Sequence, residues 1–189
     1  MPGNHDLYAA GRLPSYTNGF TYPDNWFSMD FTERKRISRG RVWTYEGEAP
    51  NDLEEEDRVF LNSLPEYIIL PFAGTKCLLS HYIYPDFTGS TTKYIERNNQ
   101  IRELWNFMDR HRVMYSFSGH SHSHFAGLAY RGGRSFLKAI HSFPCQTINL
   151  GSEMVMISLP PLAGEKGRTG LSIIDSDNLK LQIIALNTV

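Results

Sequence analysis

Cysteine is scarce in this chain: among 189 residues only Cys77 and Cys145 carry a thiol. Neither has a CxxC partner, so a disulfide framework and a zinc ribbon are both excluded, and a reducing compartment such as the cytoplasm fits best. An apolar run of about 18 residues is also lacking, as is a basic segment leading into an apolar one at the start, so neither a membrane span nor a secretory leader is predicted. Charge of one sign is lacking too. With 19 Lys and Arg against 20 Asp and Glu, the chain has no basic excess of the kind that nucleic acid or anionic lipid attracts. An anionic substrate must therefore be held locally. There is no internal repeat and no low-complexity tract.

What is present is ordinary for a globular protein, with 41% hydrophobic and 21% charged residues. The length predicts a single domain over residues 1–189 with its own core. Residues 7–50 are rich in Gly, Pro and aromatics without a sustained period and read as a long irregular connection. Within it Tyr8, Tyr16, Phe20, Tyr22, Trp26 and Phe27 are expected to anchor the loop rather than line a substrate entrance. Arg34, Lys35, Arg36, Arg39 and Arg41 read as a solvated face.

Asn51-Asp52-Leu53-Glu54 has the pattern of a helix cap with a reciprocal acid, predicting a helix over about 52–63. After the turn signal Gly74, the run from Lys76 to Ser80 predicts a mostly buried strand that delivers His81 at its carboxyl end. Ile101, Leu104, Trp105 and Met108 recur at helical spacing, predicting an amphipathic helix over roughly 92–111 that covers a sheet face. Val113, Tyr115 and Phe117 alternate with Met114, Ser116 and Ser118, predicting a half-buried strand running into Gly119-His120-Ser121-His122. The last third reads as β-structure: Gln146 to Leu150, Met154 to Leu159, Leu171 to Asp175 and Leu179 to Leu186. The final two are expected to form a hairpin across Asp175-Ser176-Asp177-Asn178, and Pro160 to Arg168 a Gly-rich loop.

Imidazole nitrogens and carboxamide oxygens suit Mn, Fe and Zn, and Asn4, His81, His120 and His122 are candidate ligands at expected strand ends. Each histidine alone reads as an ordinary strand-end or loop residue. Two strings that each place histidine after a turn glycine, around a third histidine that ends a strand, point instead to a shared site. Gly3-Asn4-His5-Asp6, Leu78-Leu79-Ser80-His81 and Gly119-His120-Ser121-His122, with Asn149-Leu150-Gly151-Ser152 after them, resemble in order and spacing the C-terminal motifs of the calcineurin-like metallophosphoesterases.

The resemblance implies an α/β (α+β) fold, a metallophosphoesterase-like αββα sandwich. It implies that Asn4, His81 and His120 bind one divalent ion (Mn, Fe or Zn) and that His122 reaches a second. His5 is then catalytic, protonating the leaving-group oxygen or stabilising charge on the phosphoryl group, and Asp6 orients its imidazole. His124 is left outside the ligand set. The family's two upstream motifs, Asp-x-His and Gly-Asp-x-x-Asp, have no counterpart before Gly3, and Asp24, Asp30, Asp86 and Asp109 stand in no similar string. The expectation is therefore a C-terminal portion lacking the N-terminal strands, binding at most one metal and hydrolysing phosphomonoesters or phosphodiesters weakly or not at all. Unpaired strand edges would favour homo-oligomers. The alternative is a non-catalytic binding or scaffolding module on the same fold.

Overall fold

The computed structural model describes residues 1–50, 53–93, 101–122, 125–131, 138–141, 146–162 and 169–186. Its strands are β1 (Tyr67–Phe72), β2 (Thr75–Ser80), β3 (Tyr115–Ser118), β4 (Phe125–Tyr130), β5 (Lys138–His141), β6 (Gln146–Asn149), β7 (Val155–Ser158), β8 (Thr169–Asp175) and β9 (Lys180–Leu186). Six of them form one sheet in the order β1-β2-β3-β7-β4-β5, and three a second sheet in the order β6-β9-β8. The chain packs as two compact units, Met1–Tyr67 with His81–Tyr94, and Ile68–Ser80 with Ile95–Val189. Among the described residues no helix is long and apolar enough to cross a membrane.

In the second unit the two sheets share a core. Cys77 on β2, Tyr115 and Phe117 on β3, Ala126 and Leu128 on β4, Val155 and Ile157 on β7, and Leu181 and Ile183 on β9 are all buried in one cluster. β3 runs parallel to both β2 and β7, and strands flanked this way lose the inside–outside alternation of an exposed sheet. The half-buried strand expected at 113–118 is accordingly buried at all four positions of β3, with Ser116 and Ser118 as inaccessible as their apolar neighbours. The C-terminal hairpin pairs Asp175 with Lys180. Asp175 closes it, its carboxylate accepting the backbone N–H groups of Asp177 at 3.0 Å and Asn178 at 3.1 Å.

β1 was not expected, since Pro71 interrupts it. Its place at a sheet edge explains the tolerance, because an edge strand has a side on which a missing N–H breaks no ladder bond. Ala73 and Gly74 both hold positive φ, +48° and +73°, and form the two-residue turn into β2. β4 and β5 were also unforeseen; Phe-Ala-Gly-Leu-Ala-Tyr carries too little branched apolar bulk to read as a central strand.

Four helices complete the description: α1 (Asn4–Ala9), α2 (Phe31–Ser38), α3 (Glu55–Ser63) and α4 (Arg102–His111), with a 3₁₀ turn over Trp26–Ser28. Residues 7–50 are thus not wholly irregular. α2 starts where the Asp30 carboxylate accepts the Glu33 N–H at 2.8 Å and stops at Arg39, whose φ is +50°. It has no apolar stripe, so periodicity could not reveal it. α3 begins three residues later than expected, after Glu54, and Asn51 and Asp52 lie outside the described residues. α4 buries Leu104, Trp105 and Met108 as its pattern required, with Phe107 buried beside them; Thr92 and Lys93 of the expected helix are not helical, and residues 94–100 lie outside the described residues.

Candidate active site

Asn4 is the first residue of α1 rather than the end of a strand. Gly3 caps that helix, and its N–H donates at 2.8 Å to the carboxylate of Asp6, the returning half of a capping box. Asp6 is therefore engaged in holding the first turn together. The turn buries Asn4, Leu7 and Tyr8 and leaves His5 outside. Gly3 also lies against His81: a Cβ built on it would stand 2.8 Å from Cε1 and Nδ1 of that imidazole. Glycine here permits the close approach that brings the Asn4 turn and His81 together.

The Asn4 side chain is 3% exposed, and its Oδ1 has no hydrogen-bond partner. A buried acceptor without a donor costs about 1–3 kcal/mol. A cation is one group that satisfies such an oxygen, and carboxamide oxygen with imidazole nitrogen is a donor set that Mn, Fe and Zn accept. Asn4 and His81 fit part of a metal position. Among the described residues, however, no three His, Cys, Asp or Glu side chains gather as a metal cluster.

His5 is open, its side chain 65% exposed, and its Nδ1 lies 2.9 Å from the carboxylate of Glu48. A carboxylate only accepts, so Nδ1 carries a proton and Nε2 is the ring nitrogen left for other chemistry. The carboxylate on His5 is Glu48, where the motif had assigned Asp6. The Tyr45 ring stands edge-on to His5 at 5.5 Å and stacks on Tyr8 at 4.2 Å. Burial, with Tyr22 adding to it, raises the pKa of the Tyr45 phenol, so it stays protonated.

The loop after His81 is fixed by Asp86. Its buried carboxylate accepts the Ser90 N–H at 3.0 Å, the Thr91 N–H at 2.8 Å and the Thr91 hydroxyl at 2.7 Å. Desolvation raises the Asp86 pKa against these donors. These donors commit its carboxylate to holding the loop. The aromatic residues pack on one another, Phe20, Tyr22 and Trp26 meeting edge to face at 4.8–5.5 Å. Arg34 is not on a solvated face: it is 4% exposed, hydrogen-bonds the Tyr8 hydroxyl, and its guanidinium carbon lies 5.0 Å from the centre of the Tyr8 ring.

In the second unit β2 and β3 are parallel, so their carboxyl ends at Ser80 and Ser118 open at one edge of the sheet. His81 follows the first in sequence and Gly119-His120 the second, the position where sheets of this kind carry ligands. The Ser121 N–H bonds the Gly119 carbonyl at 2.8 Å around His120, whose φ is +69°, a γ-turn of the rare, strained hand. His122 also lies at positive φ, +48°. Strain on two histidines in one turn is the sort of cost that functional sites retain. His120 is half-buried and His122 exposed, while His124 lies outside the described residues.

The crystal structure of a metallophosphoesterase from Sphaerobacter thermophilus superposes on 99% of this chain and 65% of its own, with a TM-score of 0.64 at 14% identity. The chain has a calcineurin-like metallophosphoesterase fold. A hypothetical protein from Pyrococcus horikoshii OT3 matches 99% of the chain and 62% of its own length, with a TM-score of 0.50 at 12% identity. The chain thus spans less than two thirds of either neighbour. No protein-family profile matches it, and no curated protein matches it in sequence. At these identities the likeness is one of fold.

Proposed function

We propose that the chain belongs to a metal-dependent phosphoesterase acting on a phosphomonoester or phosphodiester, with weak or no turnover by itself. The observation that carries this reading is the buried, partnerless Oδ1 of Asn4 on the turn that packs against His81. In this reading Asn4, His81 and His120 hold one divalent ion and His122 contributes to a second. Such cations supply charge neutralisation at the phosphoryl oxygens and acidify the attacking water.

The chain's own residues do the rest. His5 acts with both ring nitrogens protonated, Nδ1–H donating to Glu48 and Nε2–H passing to the leaving-group oxygen, which leaves a neutral imidazole still bonded to Glu48 through Nδ1. Asp6 acts through the first turn of α1, because its bond to Gly3 sets where Asn4 and His5 stand. Weak turnover is expected in this reading because the Asp-x-His and Gly-Asp-x-x-Asp strings of the resembled family have no counterpart in the sequence. That same observation favours the second reading, a binding module that retains the fold without catalysis.

The test is hydrolysis of 4-nitrophenyl phosphate and bis(4-nitrophenyl) phosphate by this chain with and without Mn²⁺. The enzyme reading expects slow turnover that EDTA removes, and that His5→Ala lowers about a hundredfold or more while Mn²⁺ affinity holds. Mn²⁺ binding without any turnover favours the module. Turnover that needs no metal, or no Mn²⁺ binding at all, overturns the metal-dependent reading.

A further inference from the structure

Glu48 stands 43 positions after His5 and shares no string with it, yet both of its carboxylate oxygens lie 2.9 Å from His5 Nδ1. An exposed pair of this kind contributes little to stability, so what the contact can do depends on how firmly Glu48 is placed. The chain is pinned just before it. Val42 bridges Thr91, the Trp43 N–H donates to the Ser90 carbonyl at 3.1 Å, and the Thr92 N–H donates to the Arg41 carbonyl at 3.2 Å. The N–H groups of Ser90 and Thr91 are in turn held by the buried Asp86 carboxylate.

From there residues 45–48 turn back onto α1. The Glu48 N–H donates to the Tyr45 carbonyl at 3.4 Å, and φ is positive at Tyr45 (+53°) and Gly47 (+77°). The Tyr45 ring stacks on the buried Tyr8 ring with planes 14° apart. The Tyr8 hydroxyl accepts from Arg34 and donates to the Glu48 carbonyl at 3.5 Å. Tyr8 follows His5 by one helical turn, so α1 carries His5 itself and, through Tyr8, the turn that bears its carboxylate. The same turn sets the Tyr45 ring edge-on to His5.

We infer that Glu48 is a positioning residue for His5, its carboxylate accepting from Nδ1–H and fixing the ring in the orientation and tautomer that leave Nε2 for the leaving group. This rests on the phosphoesterase reading for its purpose, but the contact itself can be tested without turnover. A carboxylate only accepts, so while it faces Nδ1 the neutral ring keeps its proton there. Glutamine at position 48 would present one oxygen and one NH₂ at the same place, and either tautomer would then find a partner.

The experiment uses the full chain, Glu48→Gln and Glu46→Gln, followed by ¹⁵N NMR of the imidazole rings in their neutral form and by 4-nitrophenyl phosphate turnover with Mn²⁺. Glu46→Gln removes the same charge from the same turn and is the control. The parent is expected to hold the His5 proton on Nδ1, Glu48→Gln to convert His5 to a tautomer mixture, and Glu46→Gln to match the parent. Glu48→Gln should also lower kcat about tenfold or more with KM and Mn²⁺ affinity unchanged. Once His5 is alanine, it should lower kcat no further, because Glu48 acts through His5. A parent His5 proton on Nε2, a tautomer unchanged in Glu48→Gln, equal effects of the two glutamine variants, or an undiminished effect of Glu48→Gln in the His5→Ala background would overturn the assignment. If the parent turns over no substrate, the enzyme reading fails. Glu48 is then judged on the His5 ring signals alone, so the two failures are distinguishable.

Discussion

Replacing Gly3 with alanine adds one methyl group at the tightest point of the candidate site. The new Cβ would stand 2.8 Å from Cε1 and Nδ1 of His81 and 3.0 Å from Cγ. Comfortable carbon contacts lie at about 3.5–4.0 Å, so three ring atoms overlap it at once. Because Cγ sits at the root of the side chain, rotating the ring does not clear the clash, and either the start of α1 or His81 must move. The Gly3 φ of −89° is open to any residue, so positive-φ strain contributes nothing. Overpacking of this kind costs about 1–3 kcal/mol, with a smaller contribution of roughly 0.5 kcal/mol for alanine at an N-cap. For a domain of this size each kcal/mol lowers Tm by about 2–4 °C. Urea denaturation of the parent, Gly3→Ala, His81→Ala and the double variant separates the two contributions. The penalty of Gly3→Ala should drop by more than half in the His81→Ala background, where only the cap contribution survives. An equal penalty in both backgrounds, or none in the parent, would refute the packing argument.

Arg34→Ala should destabilise by about 2–3 kcal/mol, because it removes a charged hydrogen bond and a cation–π contact from a buried pair; Lys35→Ala on the exposed side of α2 should change stability by less than about 0.5 kcal/mol. Equal effects of the two by chemical denaturation would place Arg34 in solvent. Ser116→Ala should raise stability by about 1 kcal/mol, since its buried Oγ lacks a partner, and a clear loss of stability would show that the hydroxyl is satisfied. Asp86 makes a pH prediction. Its folded pKa is raised above 3.8, chiefly by desolvation, so the folded state binds the extra proton and stability declines as pH rises from that value through the folded pKa. Relative to Asp86→Asn, the urea midpoint of the parent should fall over that window and run parallel above it; a relative rise would contradict the sign.

Much of the fold was legible because its signals are local. Lys76–Ser80 became β2, the apolar stripe of Leu104, Trp105 and Met108 became the buried side of α4, and the Asp175–Asn178 turn closed the last hairpin. α2 and β4 were not legible, since one lacks an apolar stripe and the other is built from small residues. The histidine strings named the candidate site, but what surrounds it could not be read. Glu48 meets His5 across 43 positions and Arg34 meets Tyr8 across 26, and neither sits in a recognisable string. Tyr45 has no sequence signal at all for its edge-on place beside His5. The resemblance assigned Asp6 to orient His5, but neighbouring side chains on a helix point in different directions, and the Asp6 carboxylate turns back to the Gly3 N–H.

The central claim is that Asn4 and His81 contribute to a divalent-metal position. Mn²⁺ stoichiometry and affinity, measured by calorimetry on the full chain and on Asn4→Ala and His81→Ala, test it most directly. The account predicts at most one ion per chain, with affinity reduced tenfold or more in either variant while each stays folded. Two ions bound with full phosphoesterase turnover, or one ion bound equally well by all three proteins, would contradict it.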